Sequence, residues 1–286
     1  MRCQKYKEKP YTLFLERYNL LIDSKFPYFA LDFRVSMTQL TDEEKLIQRI
    51  ERRFNKGLVD YRLVEDDDKI LVGLSGGKDS LALLHLLAKR SCILKPRFQV
   101  YAVHVALTNI PYQSDDSYLR RFAEERNVPY VRYETSFDAS TDTRKSPCFL
   151  CSWNRRKALF TVAKELGCNK IALGHHMDDI LETLLMNLTF QGAYSTMPPK
   201  LEMKKFQMTI IRPLCLVHEA DLVQMAAQMN FQKQLKNCPY EHDSHRSDMK
   251  EVLQRLEAMN PEARYSMWGA MTNIQTELLP TKIEKK

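Results

Sequence analysis

The sequence predicts an α/β fold: a parallel sheet with helices on both faces, followed by a short, mostly helical tail. Three observations carry this. From Lys69 onward, short apolar runs alternate with helix-length segments, the pattern of consecutive βαβ units. The first strand-to-helix join holds Gly73, Gly76 and Gly77, three of only eight glycines in the 286 residues. Beyond residue 232 the alternation stops.

Taken in order, residues 1–36 are rich in aromatics (Tyr6, Tyr11, Phe14, Tyr18) and show no helical or strand period. Met37 leads into TQLTDEEKLIQRIERRFNKGLVDY, where Thr41 caps a helix, Glu44 completes a capping box, and Leu46, Ile47 and Ile50 begin an apolar face. This contrast makes Met37 the expected start of native translation; a docking arm is the alternative. KILVGLS is the first strand, followed by a leucine-rich helix from Ser80 to Lys89. RFQVYAVHVAL is the second strand, Ser114 to Asn127 a helix, and VPYVRYE the third strand. A polar loop from Asp138 to Pro147 precedes a helix from Phe149 to Leu166, the strand NKIALG and a helix from Met177 to Phe190. A loop through Pro198 and Pro199 leads to the strand MTIIRPL and a helix from His218 to Met229. The tail reads as a loop around Cys238 and two helices, the second begun by Pro261 in its first turn.

Composition narrows the function classes. With 44% hydrophobic, 10% aromatic and 28% charged residues, the chain is that of a globular protein with a sizeable core, not a disordered, collagenous or disulfide-stapled one. No apolar run approaches the ~18–20 residues that a membrane-spanning helix needs, and no secretory signal opens the chain. The expectation is a cytoplasmic protein with no membrane partner. Seven cysteines, an odd number without an export signal, argue against a full disulfide framework. Forty-three Lys and Arg against 36 Asp and Glu leave a net +7, which permits a polyanionic partner without requiring one.

The glycine-rich join is Ser75-Gly76-Gly77-Lys78-Asp79-Ser80. Two glycines let the backbone turn tightly and aim several N–H groups at one point; a helix N-terminus, hydroxyls and a lysine complete an anion cradle. It is not a Walker A loop, because Val72 stands where the first glycine belongs and Asp79 follows the lysine. Nor does it carry the GxGxxG of a dinucleotide fold. The bland alternative is a tight βα turn. SGGKDS after a first strand resembles the PP-loop of the ATP pyrophosphatases, which cleave ATP between the α- and β-phosphates and hold the leaving pyrophosphate in this loop.

Cys148-Phe-Leu-Cys151 precedes a helix, and Cys238 follows much later. On chemistry alone, three thiolates suit an iron–sulfur cluster with one open iron, while Cys148, Cys151, Cys238 and His242 would suit a Cys3His zinc site. A second motif, Gly174-His175-His176-Met177-Asp178-Asp179, ends a strand at the edge where α/β ligands gather. Its aspartates could hold Mg2+ through oxygen, or serve as helix caps.

In order, SGGKDS, PCFLCSWNRRKALF, ALGHHMDDILETLLMNL, MPPK, IRPL and a lone downstream Cys238 resemble the tRNA 2-thiocytidine synthetase family, from about Met37 to the C-terminus. The resemblance implies an adenine nucleotide alpha-hydrolase-like PP-loop fold and an ATP-dependent tRNA sulfurtransferase acting on a cytidine of the anticodon loop. It implies a [4Fe-4S] cluster on Cys148, Cys151 and Cys238, with the fourth iron free to bind the sulfur to be delivered. ATP and Mg2+ are consumed. Ser75, Gly76, Gly77, Lys78, Asp79 and Ser80 would grip the phosphates; Gly174 and His175 would line the nucleotide side. Lys78, Asp79, Asp178 and Asp179 are the catalytic candidates. Arg155, Arg156, Lys200 and Arg212 are candidate tRNA contacts. A sulfur donor such as a cysteine desulfurase is an expected partner, and a homodimer is admitted but not required. The alternatives are lysidine-type or 2-thiouridine-type PP-loop chemistry with a zinc site, or a non-catalytic nucleotide- or tRNA-binding module.

Two departures stand out. The second strand continues as VALTNIP, without the acidic residue often found there, and Glu241 replaces the second cysteine of the tail pair. The expected division is an extension at 1–36, a helical lead-in at 37–66, the PP-loop ATP-binding domain at 67–232 and the tail at 233–286. Cys3, Cys92, Cys168 and Cys215 read as ordinary thiols; His85 and His104 as packed side chains.

Overall fold

The computed structural model describes residues 40–109, 115–136, 147–232 and 246–280, apart from the side chains of 147 and 148. The expectations for 1–36, Cys238, Glu241 and His242 therefore lie outside the described residues. Helix α1 (Asp42–Asp60) opens on the capping box read from the sequence: Glu44 N–H donates to Thr41 Oγ1 at 3.2 Å, and Thr41 N–H to Glu44 Oε2 at 2.8 Å. Its inward face carries Leu46, Ile50, Phe54 and Leu58.

The alternation then runs β1 (Asp68–Gly73), α2 (Lys78–Ser91), β2 (Phe98–Leu107), α3 (Asp116–Glu124), β3 (Tyr130–Thr135), α4 (Pro147–Glu165), β4 (Lys170–Ala172) and α5 (Met177–Met186). Strands β5 (Lys200–Met203) and β6 (Met208–Ile211) and helix α6 (Glu219–Gln228) complete the domain; α7 (Arg246–Met259) and α8 (Ala263–Ala270) form the tail. The sheet order is β3-β2-β1-β4-β6-β5. All neighbours are parallel except β5, which pairs antiparallel with β6. Strand order reverses between β1 and β4, and this is where the crevice outside the carboxyl ends opens.

The sequence predicts a loop where the structure has strand β5. KLEM has no apolar run, and only its pairing with β6, Leu201 opposite Ile210, makes it a polar edge strand. Helix α5 runs on past Met186 as a π-helical turn, Asn187–Gln191, and stops at Gly192 with φ +59°. Pro261 lies just ahead of α8, whose first residue is Ala263.

The two sheet faces are covered unequally. One face packs Ile70, Val72, Val100 and Ala102 against α1, α2, α3 and α6. The other packs Leu71, Val103 and Ile171 against Val162 and Ala163 of α4. A third apolar cluster joins Met177, Ile180 and Leu181 of α5 to Leu253 of α7 and Trp268 of α8, so the tail is docked on the domain rather than trailing from it. Burial of such side chains contributes roughly 1.5–3 kcal/mol each. Charge adds specificity: buried Asp221 on α6 takes Arg49 at 2.7 Å and Arg53 at 2.6 Å, tying α1 to α6. Among the described residues, no helix is long and apolar enough to cross a membrane.

Candidate active site

The SGGKDS loop joins β1 to α2 at the carboxyl edge of the sheet. Gly76 has φ +82°, a conformation that glycine adopts without strain. Gly77 caps α2 with no side chain, leaving the positive end of the helix open toward the crevice. The hydroxyls converge: Ser75 Oγ and Ser80 Oγ are 3.1 Å apart, and Ser80 donates to the Gly77 carbonyl at 2.9 Å. Gly174, at the end of β4, lies so close that a Cβ there would stand 3.0 Å from the Asp79 carbonyl carbon and 3.1 Å from Ser80 N. The two motifs thus meet backbone to backbone, and glycine is the residue that permits the approach.

Lys78 is set in a chain of charges. Its Nζ lies 3.1 Å from Asp79 Oδ1 and 3.2 Å from Glu219 Oε1; Glu219 in turn takes Lys250 at 2.6 Å. Burial alone would lower the Lys78 pKa, but Asp79 and Glu219 hold it above its ordinary value. Burial would raise Glu219, and Lys250 and Lys78 overrule it, bringing it to about 2. Both groups are charged at neutral pH, so the cradle presents a fixed cation.

The second motif divides its work. His176 caps α5: Asp179 N–H donates to His176 Nδ1 at 3.3 Å, and His176 N–H donates to Asp179 Oδ2 at 3.1 Å. Asp178 is buried, with Oδ1 accepting from Arg264 Nε at 2.8 Å and Oδ2 from the Glu219 N–H at 2.8 Å. Asp179 Oδ1 faces Arg246 Nη1 at 3.4 Å. Asp79 Oδ1 accepts no hydrogen bond of good geometry. His175 is pushed down to about 4, mainly by burial, so its ring is neutral, and its Nδ1 has no hydrogen-bond partner. Arg212 is buried and donates to the Pro198 carbonyl at 2.6 Å. Burial first, then the charge of Arg156, lowers its pKa, and its own charge lowers that of His175.

Positions 148 and 151 fall within the first five residues of α4, and Cys151 is half-buried against Leu107 at the carboxyl end of β2. The described ligand-bearing side chains include no metal-binding group of three or more; Cys238 and the Cys148 side chain are outside that statement. Lys200 sits 4.0 Å from Glu202, on the edge strand. Arg155 is close enough to His104 to lower its pKa. The phosphate loop, the His-Asp motif and Arg212 are therefore together, whereas Lys200 lies on the rim.

Glu219, Lys250, Arg246, Arg264 and buried Glu182 were not foreseen. Glu182 is pushed up to about 7, by burial first and then by the nearby Asp179. Of these, Glu182, Glu219, Lys250 and Arg264 line a cavity of about 370 Å³ between α5, α6, α7 and α8, beside the phosphate loop and not within it. Their approach depends on where the tail helices dock, a relation no local spacing encodes.

Residues 44–234 match the PP-loop domain family. The chain is 35% identical over 82% of its length to the tRNA-cytidine(32) 2-sulfurtransferase of Syntrophotalea carbinolica, covering 92% of that protein. It is 34% identical to the same enzyme of Acinetobacter baylyi, over 87% of this chain and 84% of the relative. Among solved structures it is similar to the U34-tRNA thiolase NcsA from Methanococcus maripaludis with its [4Fe-4S] cluster (TM-score 0.65, 25% identity, 85% of this chain and 82% of that one). A phosphate loop built on Gly76 and Lys78, a His-Asp motif pressed against it through Gly174, and these likenesses lead to one statement: the chain belongs to the PP-loop family of the tRNA-cytidine(32) 2-sulfurtransferases.

Proposed function

We infer that the protein is an ATP-dependent tRNA sulfurtransferase that makes 2-thiocytidine in the anticodon loop. The observation that carries this is the Ser75–Ser80 cradle with a charged Lys78, backed by relatives of that name over most of the chain. The C2 oxygen of cytidine is a poor leaving group. Transfer of AMP from ATP onto it, with release of pyrophosphate, makes a good one; sulfur then attacks C2 and AMP departs.

The chain's own residues support these steps. The open N-terminus of α2, the Ser75 and Ser80 hydroxyls and Lys78 hold the phosphates, and Lys78 offsets the charge that grows on the leaving pyrophosphate. Asp79, whose Oδ1 lacks a good hydrogen bond, and Asp179 suit Mg2+, which favours oxygen ligands. Asp178 is already engaged by Arg264 and the N-terminus of α6. Neutral His175, with its free Nδ1, is placed to hydrogen-bond the nucleotide. Arg212 and Arg156 supply positive charge beside it.

Cys148, Cys151 and Cys238 would hold the [4Fe-4S] cluster. The fit rests on donor chemistry and on Cys151, half-buried against Leu107 at the crevice edge of the sheet. When bound, the cluster would supply an iron that holds the incoming sulfur. We further propose a sulfur donor such as a cysteine desulfurase, a cytoplasmic site of action and a homodimeric form, with residues 67–232 as the ATP-binding domain.

Mass spectrometry of nucleosides from total tRNA, with and without the gene in its host, tests the reading. Selective loss of 2-thiocytidine is the expected result. Persistence of 2-thiocytidine while another modified base vanishes would keep the PP-loop chemistry and overturn the substrate.

A further inference from the structure

Helix α4 has two chemically distinct sides. Its inner side meets the sheet through Val162 and Ala163, buries Ala158 and sets Cys151 against Leu107. Its outer side carries Trp153, 51% exposed, with Lys157 Nζ 5.8 Å over the indole ring. Seven residues, or roughly 10 Å, further along the helix, Phe160 stacks on Phe206 at 4.9 Å between centroids, and Phe206 is 52% exposed. Phe206 belongs to the turn between β5 and β6 that also holds Lys204 and Lys205.

The charge on this face is one-sided. Arg156, Lys157, Lys164, Lys204 and Lys205 meet only Glu165 and Glu202 in the same segments, and α4 has no carboxylate before Glu165. A face that exposes Trp153 and Phe206, the latter stacked on half-buried Phe160, among five cations is expensive to leave bare to water. Aromatic faces for unstacked bases with cations for backbone phosphates are the combination that binds single-stranded nucleic acid. The strip also continues into the site, because Arg156 lies near enough to Arg212 to shift its pKa.

We propose that the outer face of α4 is a docking surface for the anticodon stem-loop of the substrate tRNA. Trp153 stacks on an unpaired loop base flanking the target cytidine, and Lys157, Lys204 and Lys205 take phosphates along the stem. Trp153 faces away from Cys151, so it holds a neighbouring nucleotide and not the reacting base. The inference rests on the tRNA substrate proposed above.

The test titrates the full-length protein with a synthetic anticodon stem-loop RNA, reading affinity and tryptophan fluorescence. The chain has two tryptophans, and Trp268 is half-buried with its Nε1–H donating to Tyr61 at 2.9 Å, so quenching by RNA reports mainly on Trp153. W153A is expected to weaken binding roughly tenfold, the scale of one lost base stack, and to abolish most of the quenching. W153F should restore most of the affinity. K204A/K205A should weaken binding equally for loops of any sequence and lower the salt dependence by about 1–2 ion equivalents. Wild-type affinity in W153A overturns the proposal, as does failure of W153F to rescue. A change in oligomeric state with RNA affinity unchanged would assign the strip to contact between copies and also overturn it. No RNA binding by the wild-type protein would instead overturn the tRNA reading itself, which separates the two failures.

Discussion

Two lysines at opposite edges of the same sheet show how one interaction serves different ends. At the amino edge, Lys170 pairs with Asp68 at 2.7 Å, both side chains 4% exposed. Every neighbour closes the network: Lys170 donates to the Leu63 carbonyl at 3.0 Å, Asn169 donates to Asp68 Oδ1 at 2.7 Å, and Glu65 N–H to Asp68 Oδ2 at 2.6 Å. At the carboxyl edge, Lys78 lies between Asp79 and Glu219 with 29% of its side chain exposed, and Asp79 Oδ1 accepts no good hydrogen bond. The first network is saturated and sealed, and holds the fold. The second is charged, partly wet and incompletely satisfied, so it has capacity left for a ligand.

K78A should break the open network with the largest effect on activity. Thiolation of tRNA, followed as 2-thiocytidine in a host lacking the native gene, is expected to fall by about a hundredfold or more, while the melting temperature stays near wild type. D68A should do the reverse. It leaves buried Lys170 with only the largely exposed Glu65, 3.2 Å away, as a carboxylate partner, at a cost of about 3 kcal/mol, lowering Tm by roughly 10 °C. Loss of stability in K78A larger than in D68A would dissolve the distinction.

G174A probes the wall between the two motifs. The added Cβ meets backbone atoms of Asp79 and Ser80, which cannot swing aside, and overpacking of this kind costs about 1–3 kcal/mol. ATP affinity should drop more than Tm, because the shift falls on the phosphate loop; equal ATP binding in calorimetry would count against that contact. The smallest effect is at His85, in the sealed part of the molecule. Burial first, then Arg126, pushes its pKa down to about 4. Between pH about 6.5 and about 4 the unfolded chain binds more protons there than the folded one, so stability is lost as pH falls through this window. H85Q should flatten the pH dependence of Tm over that interval; an unchanged slope would show that other groups set it.

The fold was legible to the extent that its elements are local. Thr41 and Glu44 sit three apart and form the capping box that their types dictate, and each βαβ unit announced itself through apolar runs and turns. The strand that escaped, Lys200–Met203, has no apolar signature of its own and exists through its neighbour β6. The candidate site divides in the same way. Ser75 to Ser80 is contiguous, so its chemistry can be read from one stretch of chain. Glu219 reaches Lys78 across 141 positions, and Arg264 reaches Asp178 across 86.

By itself, the sequence determined the α/β class, the phosphate loop and the His-Asp motif, because backbone conformation and helix capping act over a few residues. Tertiary structure alone decided which cations meet which carboxylates. Asp178 became a docking point for the tail, Glu219 a partner of Lys78, and Trp153 an outward-facing ring. Those outcomes depend on how whole helices pack across the sheet, and packing is set by the sum of many distant apolar contacts.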